Sequence, residues 1–277
     1  MYTAPPLRSA IKRRLLRWYD RSGRDLPWRR TRDPYAVLVS EVMLQQTQVS
    51  RVLPAYASFL ERFPTLRSLA AAPLGDVLRA WSGLGYNRRA RDLHLIARAA
   101  HRGLPCDVAG LDALPGVGAY TAGAVSCFSS GARVAFADTN IRRVLGRVVL
   151  GRVASEREAV AIDAEILPRD AARWHHALMD LGATICHSRA PRCVVCPVAS
   201  TCRGRGIVGE APLRKQSPFA TSDRRIRGHI IDELREKTTT IVQLRRKLQD
   251  ARVERLVNDL VCEGLVERRG AQVSLPA

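Results

Sequence analysis

"LPGVGAYTAGAV", residues 114–125, sets Gly116 and Gly118 on either side of a tight turn that runs directly into an apolar helix. Such a turn leaves backbone N–H groups bare at a helix N-terminus, where a phosphate can sit. Taken singly, a Pro-Gly-x-Gly turn is also an ordinary helix connection. Here a short helix is expected before it, over 109–113, and a longer one after it, over 118–129. The stretch therefore reads as a helix-hairpin-helix, which grips a nucleic-acid backbone without reading its sequence.

Outward from the hairpin the chain continues in helices. Apolar residues recur at spacings of three and four at Ile11, Leu15, Trp18 and Tyr19, at Val37, Leu38, Val42 and Leu44, and at Leu93, Ile96, Ala97 and Ala100. The pattern predicts helices over 7–22, 34–47, 49–62, 66–70, 74–80, 88–101, 138–149, 155–166, 170–183 and 193–199. Strand-like alternation is nearly absent before residue 200, so the fold class is mainly α.

The segment "GRGIVGEAPLRKQSPFATS" is rich in Gly, Pro and basic residues and reads as a linker. Beyond it, "DRRIRGHIIDELREK", "TIVQLRRKLQ", "RVERLVNDLVCEGL" and "VERRGAQVSL" predict three helices and a hairpin turning at Arg269-Gly270. That order fits a winged helix, serving either DNA contact or helical packing and dimerisation. The expected organisation is a catalytic region over 1–203, a linker over 204–221 and a winged-helix-like domain over 222–277.

Composition bounds the function. The 277 residues are 46% hydrophobic and 5% aromatic, as expected of a globular protein. No run approaches the roughly eighteen consecutive apolar residues of a membrane span, and the opening "MYTAPPLRSAIKRRLL" lacks the apolar core of a signal peptide. The expectation is a cytoplasmic monomer with no membrane partner. The net charge of +19 and the pI of about 10.8 are extreme for an enzyme of small metabolites and suit a polyphosphate partner. From Arg203 onward there are 16 Lys+Arg and 10 Asp+Glu, net +6, so the preceding residues carry the other +13. The main body is basic, and nucleic acid is the expected partner.

Four of the seven cysteines, Cys186, Cys193, Cys196 and Cys202, fall within "CHSRAPRCVVCPVASTC" in a C-x6-C-x2-C-x5-C pattern. A chain of this length does not depend on disulfides, so the clustering suggests a metal. Structural zinc usually pairs two C-x2-C knuckles, and here only Cys193 and Cys196 form one. A compact loop of unequal spacings also suits an iron–sulfur cluster, and the spacing favours iron–sulfur over zinc without excluding zinc.

Two carboxylates stand beside apolar stretches: Glu41 in "SEVMLQQTQV" and Asp138 in "ADTNIRRV". A surface Glu is usually only solvated, and an Asp that begins a helix is usually only its cap. Both readings stand at this point.

With these residues assembled, the chain resembles the helix-hairpin-helix DNA glycosylases that carry a [4Fe–4S] cluster, and most closely the MutY-type adenine DNA glycosylases. The resemblance runs from about residue 25 to residue 203. It rests on "LPWR" at 26–29, "SEVMLQQTQV" at 40–49, "GLGY" at 83–86, "LPGVGAYTAGA" at 114–124, "DTN" at 138–140, "MDLGATIC" at 179–186 and the full cysteine spacing.

The resemblance implies a helical barrel joined to a cluster-binding loop at 186–202, with the cluster on Cys186, Cys193, Cys196 and Cys202. It implies that Glu41 is the catalytic acid and Asp138 the second carboxylate. Adenine leaves poorly as an anion, so breaking its N-glycosidic bond calls for a proton at the purine N7, which a buried Glu can deliver. Positive charge then develops on the deoxyribose, and a carboxylate on its face stabilises it. By the same resemblance Gln46 and Tyr86 wedge into the base stack once the nucleotide has flipped out. Tyr120 lines the base pocket, Asn140 supports Asp138, and Gly116 and Gly118 hold backbone phosphate. The implied substrate is double-stranded DNA with adenine opposite 8-oxoguanine or guanine, which would place the protein at the nucleoid.

Between Lys12 and Lys215 the chain has no lysine, the residue that normally forms a Schiff base with an abasic sugar. Endonuclease III-type relatives place a lysine two residues after the second hairpin glycine, where this chain has Tyr120. Base excision without efficient strand cleavage is expected.

Two departures from the resemblance stand out. Typical adenine glycosylases continue into a Nudix-like domain that inspects 8-oxoguanine, whereas about 74 residues of winged-helix pattern follow the cysteines here. Asn87 stands where a second Tyr commonly follows "GLGY". The competing readings are a glycosylase of the same fold acting on T or U opposite G, against which "QQTQ" argues, and a non-catalytic iron–sulfur DNA-binding regulator.

Overall fold

Short polar side chains start six of the helices: Thr65, Asp107, Asp138, Ser155, Asp170 and Thr240 each accept a hydrogen bond from the backbone N–H three residues on. These bonds satisfy donors that the first turn of a helix leaves open. The computed structural model describes residues 2–207 and 217–277. In chain order the α-helices are α1 (Pro5–Ser22), α2 (Pro34–Leu44), α3 (Val49–Arg62), α4 (Leu66–Ala71), α5 (Leu74–Ala80), α6 (Arg88–Ala99) and α7 (Val108–Asp112). They continue as α8 (Ala119–Val125), α9 (Thr139–Leu145), α10 (Glu156–Ile166), α11 (Ala171–Thr184), α12 (Asp223–Glu236), α13 (Ile241–Leu248) and α14 (Val253–Cys262).

The chain forms two compact units. The first comprises Met1–Val37, Cys106–Ala113 and Val117–Leu213, and the second Leu38–Pro105, Leu114–Gly116 and Arg214–Ala277.

In the first unit α9 and α11 form the middle of the core. Ile141, Val144 and Leu145 meet Trp174, Leu178 and Leu181, with Ile11 and Leu15 of α1 and Ile162 and Ile166 of α10 packed around them. This core encloses two carboxylates. Asp163 accepts from the Trp174 indole N–H (2.7 Å) and pairs with His175 Nε2 (2.8 Å), all three side chains being buried. Asp180 accepts from the backbone N–H and Nε of Arg24 (2.8 and 2.7 Å) and from both terminal nitrogens of Arg29 (2.9 and 2.8 Å). Burial raises the Asp180 pKa, and the Arg29 bonds and charge, with help from Arg24, more than offset it, so the carboxyl lies below its ordinary range. The stretches "LPWR" and "MDLG" are thus tied together by one buried ion cluster.

Removing one partner of such a cluster leaves charge buried without compensation, at about 3–5 kcal/mol. Asp180→Ala is expected to lower the unfolding free energy by about that amount, measured by urea denaturation. A change under about 1 kcal/mol would mean that solvent reaches the arginines.

The second unit begins within α2, at Leu38, and continues through α6. Val52 and Phe59 of α3, Leu69 of α4, Val77 and Leu78 of α5 and Leu93 and Ile96 of α6 are buried. Trp81 is met edge-on by Phe59 at 5.8 Å. The C-terminal segment has the winged-helix order: α12, β1 (Thr239–Thr240), α13, α14, β2 (Glu267–Arg269) and β3 (Gln272–Ser274). Its antiparallel sheet runs β1-β3-β2, and its own core is Ile226, Ile230 and Leu234 with Leu244, Leu256 and Leu260.

This segment packs on α5 and α6. Arg235 donates to Leu78 O and Asn87 Oδ1 (both 3.0 Å), Gly75 N–H donates to Pro276 O (2.8 Å), and Arg91 donates to Glu263 O. A Cβ on Gly75 would lie 2.6 Å from Pro276 O, so only glycine allows that approach. Of the linker expected over 204–221, residues 208–216 lie outside the described residues, and Phe219–Thr221 form a 3-10 turn.

Four expected helices differ: those over 118–129 and 138–149 leave α-helical bonding after Val125 and Leu145 and finish as π-helical turns, Ser126–Ser130 and Gly146–Leu150. The one expected over 34–47 ends at Leu44, because Gln46 turns into the left-handed region (φ 54°). The one expected over 193–199 is replaced by two 3-10 turns, Cys193–Val195 and Ala199–Thr201. Pro197 accounts for this, since a proline disfavours helical backbone in the residue before it, and Cys196 is extended (ψ 126°). Among the described residues no helix is long and apolar enough to cross a membrane.

Candidate active site

In the second unit Glu41 sits on α2 at 7% exposure, flanked by the buried Ser40, Val42 and Met43. An ordinary solvated Glu would not sit there. Gln45 and Gln46 follow on an exposed loop, and Tyr86 lies on the loop between α5 and α6, 42% exposed. Among the described residues only Gln46 (φ 54°), Tyr86 (φ 46°) and Gln249 (φ 48°) are non-glycine residues with positive φ. Gln249 simply ends α13. The strain at the other two, of order 1–3 kcal/mol each, has to be held by surrounding structure.

Arg89 supplies that restraint. Its buried guanidinium donates to the carbonyls of Val42, Met43 and Gln45 (2.9, 2.9 and 2.5 Å) on one side and of Leu84 and Gly85 (both 3.1 Å) on the other. It also reaches Thr47 Oγ1 (3.0 Å) and lies 5.5 Å from the ring centres of Trp81 and Tyr86. Burial lowers its pKa to about 10, so it stays charged at neutral pH. Arg89→Lys keeps the charge and loses the fork. It is expected to lower stability by about 2 kcal/mol or more, because several buried carbonyls lose their donor. Unchanged thermal unfolding would sink that role.

At the hairpin, Gly116 is left-handed (φ 77°), and a Cβ there would press on Asp92 at 3.1 Å. Gly118 has φ −113°, open to any residue, and caps α8 without a side-chain bond. Nothing lies within 4 Å of where its Cβ would be, so the first turn of α8 is uncovered on that side. Tyr120, half-buried on α8, meets Phe136 edge-on at 5.6 Å.

In the first unit Asp138 is the N-cap of α9. Its Oδ1 accepts from the Ile141 N–H (2.7 Å) and its Oδ2 from Asn140 Nδ2 (2.8 Å). Arg143 donates in turn to Asn140 Oδ1 (2.7 Å), Gly182 O (2.8 Å) and Cys186 O (2.6 Å). The Asp138 carboxylate is thus oriented through Asn140 and Arg143 by the end of α11. Gly182 makes this possible, since a Cβ there would fall 2.6 Å from Asn140 Cβ.

The four cysteines line one small cavity in the first unit, together with Arg147, Leu181 and Val198. Among the described residues no three of His, Cys, Asp or Glu close around a single ion. Donors point at two of the sulfurs: Arg147 Nη1 at Cys186 (3.5 Å) and Gly206 N–H at Cys193 (3.5 Å). Burial pushes the Cys196 thiol up to about 11 and raises Cys202, so ionising them here calls for compensating positive charge. Buried Arg147, anchored on His187 O and Ser188 O (2.7 and 2.8 Å), contributes some. Four thiols around one cavity are a donor set that would suit an iron–sulfur cluster.

The structure places Glu41, Gln46, Tyr86 and Gly116 in the second unit, and Gly118, Tyr120, Asp138, Asn140 and the four cysteines in the first. Sequence reading missed Arg89, Arg143, Arg147 and Asp180. An arginine used internally looks the same in a basic sequence as one facing DNA, and no local signal separates them.

Residues 39–169 match the HhH-GPD superfamily, described as base excision DNA repair protein. The chain is 44% identical over 269 residues to an adenine DNA glycosylase of Mycolicibacterium smegmatis, covering 92% of each chain. It is 40% identical to one of Mycobacterium tuberculosis, covering 92% of this chain and 89% of that one. With the human adenine DNA glycosylase it shares 39% identity, over 74% of this chain and 41% of the longer human protein. Among solved structures it is similar to a thermostable thymine-DNA glycosylase (TM-score 0.67, 27% identity, 72% of this chain and 97% of that one). It is also similar to endonuclease III in a non-covalent DNA complex (TM-score 0.64, 25% identity, 74% and 97%). The chain belongs to the adenine DNA glycosylase family of the HhH-GPD superfamily.

Proposed function

We propose that this chain is a monofunctional adenine DNA glycosylase of base excision repair, acting on adenine mispaired with 8-oxoguanine or guanine in double-stranded DNA. The observation that carries the reading is a buried carboxyl, Glu41, on the helix that leads into the left-handed Gln46. A carboxyl shielded from water favours its protonated form and can serve as an acid. Glu41 protonates the adenine at N7 and Asp138, oriented by Asn140, stabilises the positive charge that develops on the sugar. Gln46 and Tyr86 enter the stack as the nucleotide leaves it, and Tyr120 lines the pocket that receives the base. Gly116 and Gly118 bring backbone N–H groups to a phosphate.

Cys186, Cys193, Cys196 and Cys202 hold a [4Fe–4S] cluster, whose chemistry here is to fix a loop rather than to exchange electrons in the reaction. The catalytic region is 1–203 and the winged-helix-like segment is 222–277, in a monomer that works on the chromosome in the cytoplasm. With no lysine between 13 and 214 and Tyr120 at the hairpin position where endonuclease III-type relatives carry one, no lysine stands at the hairpin to form a Schiff base, so the strand stays intact after excision.

Single-turnover base release from duplexes with A opposite 8-oxoguanine, A opposite G, T opposite G and U opposite G tests this, with alkali added afterwards. Adenine release with breakage only after alkali is expected. Pyrimidine release alone would move the chain to the thymine-acting branch, and breakage without alkali would overturn the monofunctional assignment.

A further inference from the structure

The loop between α5 and α6, residues 81–87, presents Tyr86 to solvent. Three of its residues, Gly83 (φ 80°), Gly85 (φ 69°) and Tyr86 (φ 46°), are left-handed. Glycine takes that conformation freely but loses more freedom on folding than any other residue, so a loop with two of them keeps one shape only if it is held from outside. Arg89 braces the middle, at Leu84 O and Gly85 O.

The two ends are held by one side chain, 157 and 148 residues away in sequence from the atoms it meets. Arg235, near the end of α12, donates through Nε to Leu78 O and through Nη2 to Asn87 Oδ1, both at 3.0 Å. Its side chain is 9% exposed and is steadied by Asp232 one turn earlier. The contact is returned where Arg79 Nε donates to Arg235 O (3.1 Å), with Arg79 itself paired to Asp76 (2.9 Å). Asn87 stands where α6 begins, a place where asparagine ordinarily caps the helix, yet its side chain makes no capping bond there and accepts from Arg235 instead.

The segment that supplies Arg235 has other arginines engaged within it. Arg255 on α14, the helix that enters the groove in a winged-helix DNA reader, is paired with Asp223 (2.7 Å) and Asp259 (3.2 Å). Arg252 is paired with Asp250 (2.8 Å) and Asp223 (3.0 Å). Guanidinium groups already neutralised by carboxylates have little charge to offer a phosphate.

We infer that Arg235 is a positioning residue for base excision: by stapling Leu78 to Asn87 it fixes both ends of the loop that presents Tyr86, and the C-terminal segment acts through this staple rather than as a second DNA reader. The inference rests on the wedge role of Tyr86 in the glycosylase reading above. A side chain displaces a stacked base only if the backbone behind it does not give way, so the left-handed Tyr86 has to be over-determined by contacts from outside its loop.

Two measurements on the full chain test it. Hydrogen–deuterium exchange of the free protein reads the loop itself. Asn87→Leu, which removes the acceptor, and Arg235→Met, which removes the fork, should each speed exchange across 81–87 at least about tenfold, as loss of a hydrogen bond to a charged group predicts. Exchange in α14 should stay as slow as in wild type, which separates a freed loop from unfolding. Asn87→Asp keeps an acceptor for Arg235 and should exchange like wild type. Single-turnover adenine release from a duplex with A opposite G reads the consequence. Asn87→Leu should slow release at least about tenfold in the wild-type background but less than about twofold beside Tyr86→Ala, because the residue being positioned is then gone, whereas a purely structural loss would slow both alike. Exchange like wild type in both Asn87→Leu and Arg235→Met, or a slowing that persists beside Tyr86→Ala, would overturn the inference. Exchange is independent of excision. A wild-type protein that releases no adenine, with exchange altered in the variants as expected, would refute the glycosylase reading while supporting the staple.

Discussion

Glu41→Gln is expected to slow single-turnover adenine release by about a thousandfold, in the range that a positioned general acid supplies. The substitution keeps shape and polarity and removes only the transferable proton, so duplex affinity and melting temperature should stay near wild type. That combination separates chemistry from folding at a position only 7% exposed. The companion variant, Asp138→Asn, is equally clean because asparagine caps a helix about as well as aspartate. The bond from the Ile141 N–H is retained while the charge facing the developing cation is lost, and release should fall by about a hundredfold or more. Release at the wild-type rate in either variant, measured by quenched flow, would remove that residue from the mechanism.

The second large effect is expected at the cysteines. Cys196→Ser takes one of four thiols from the cavity that Arg147 and Leu181 also line. Metal binding and folding are coupled where buried thiols ionise only with compensating charge, and burial holds the Cys196 thiol up at about 11. The variant is expected to lose bound iron, to become protease-sensitive within 186–202 and to bind duplex DNA at least about tenfold more weakly. Cys186 O also anchors Arg143, which orients Asn140 and through it Asp138, so disorder in the loop should reach the carboxylate. A Cys196→Ser protein with wild-type iron content and protease resistance would exclude this residue as a ligand.

The two effects have different structural roots. The effect expected at Glu41 rests on the side chain's own proton and on its burial on α2. Asp138 depends on a chain of contacts ending at Gly182 and Cys186, which the sequence places more than forty residues away.

Much of the local structure was legible before any coordinates. Helices over 49–62 and 74–80 occur with the expected bounds, because their apolar periodicity and turn residues act over short range. The C-terminal order of three helices and a hairpin was legible for the same reason. The helix expected over 34–47 stops early at Leu44, since the left-handed turn at Gln46 is imposed by Arg89 from another segment. The helix expected over 193–199 failed because Pro197 breaks it and the thiols line a cavity instead.

The sequence by itself determined the class of elements, the hairpin, the thiol spacing and the absence of lysine from residues 13 to 214. Each of these is a property of residue type and near spacing. Only the tertiary structure decided which charges face inward. Arg29, Arg89, Arg147 and Arg235 are largely enclosed by protein, holding carboxylates and carbonyls, although in the sequence they count toward the basic charge like any other. Tertiary structure also decided that the C-terminal segment shares a unit, and a cleft, with Gln46 and Tyr86. Such a meeting depends on contacts between residues about 140 to 180 positions apart, whose geometry no local propensity encodes.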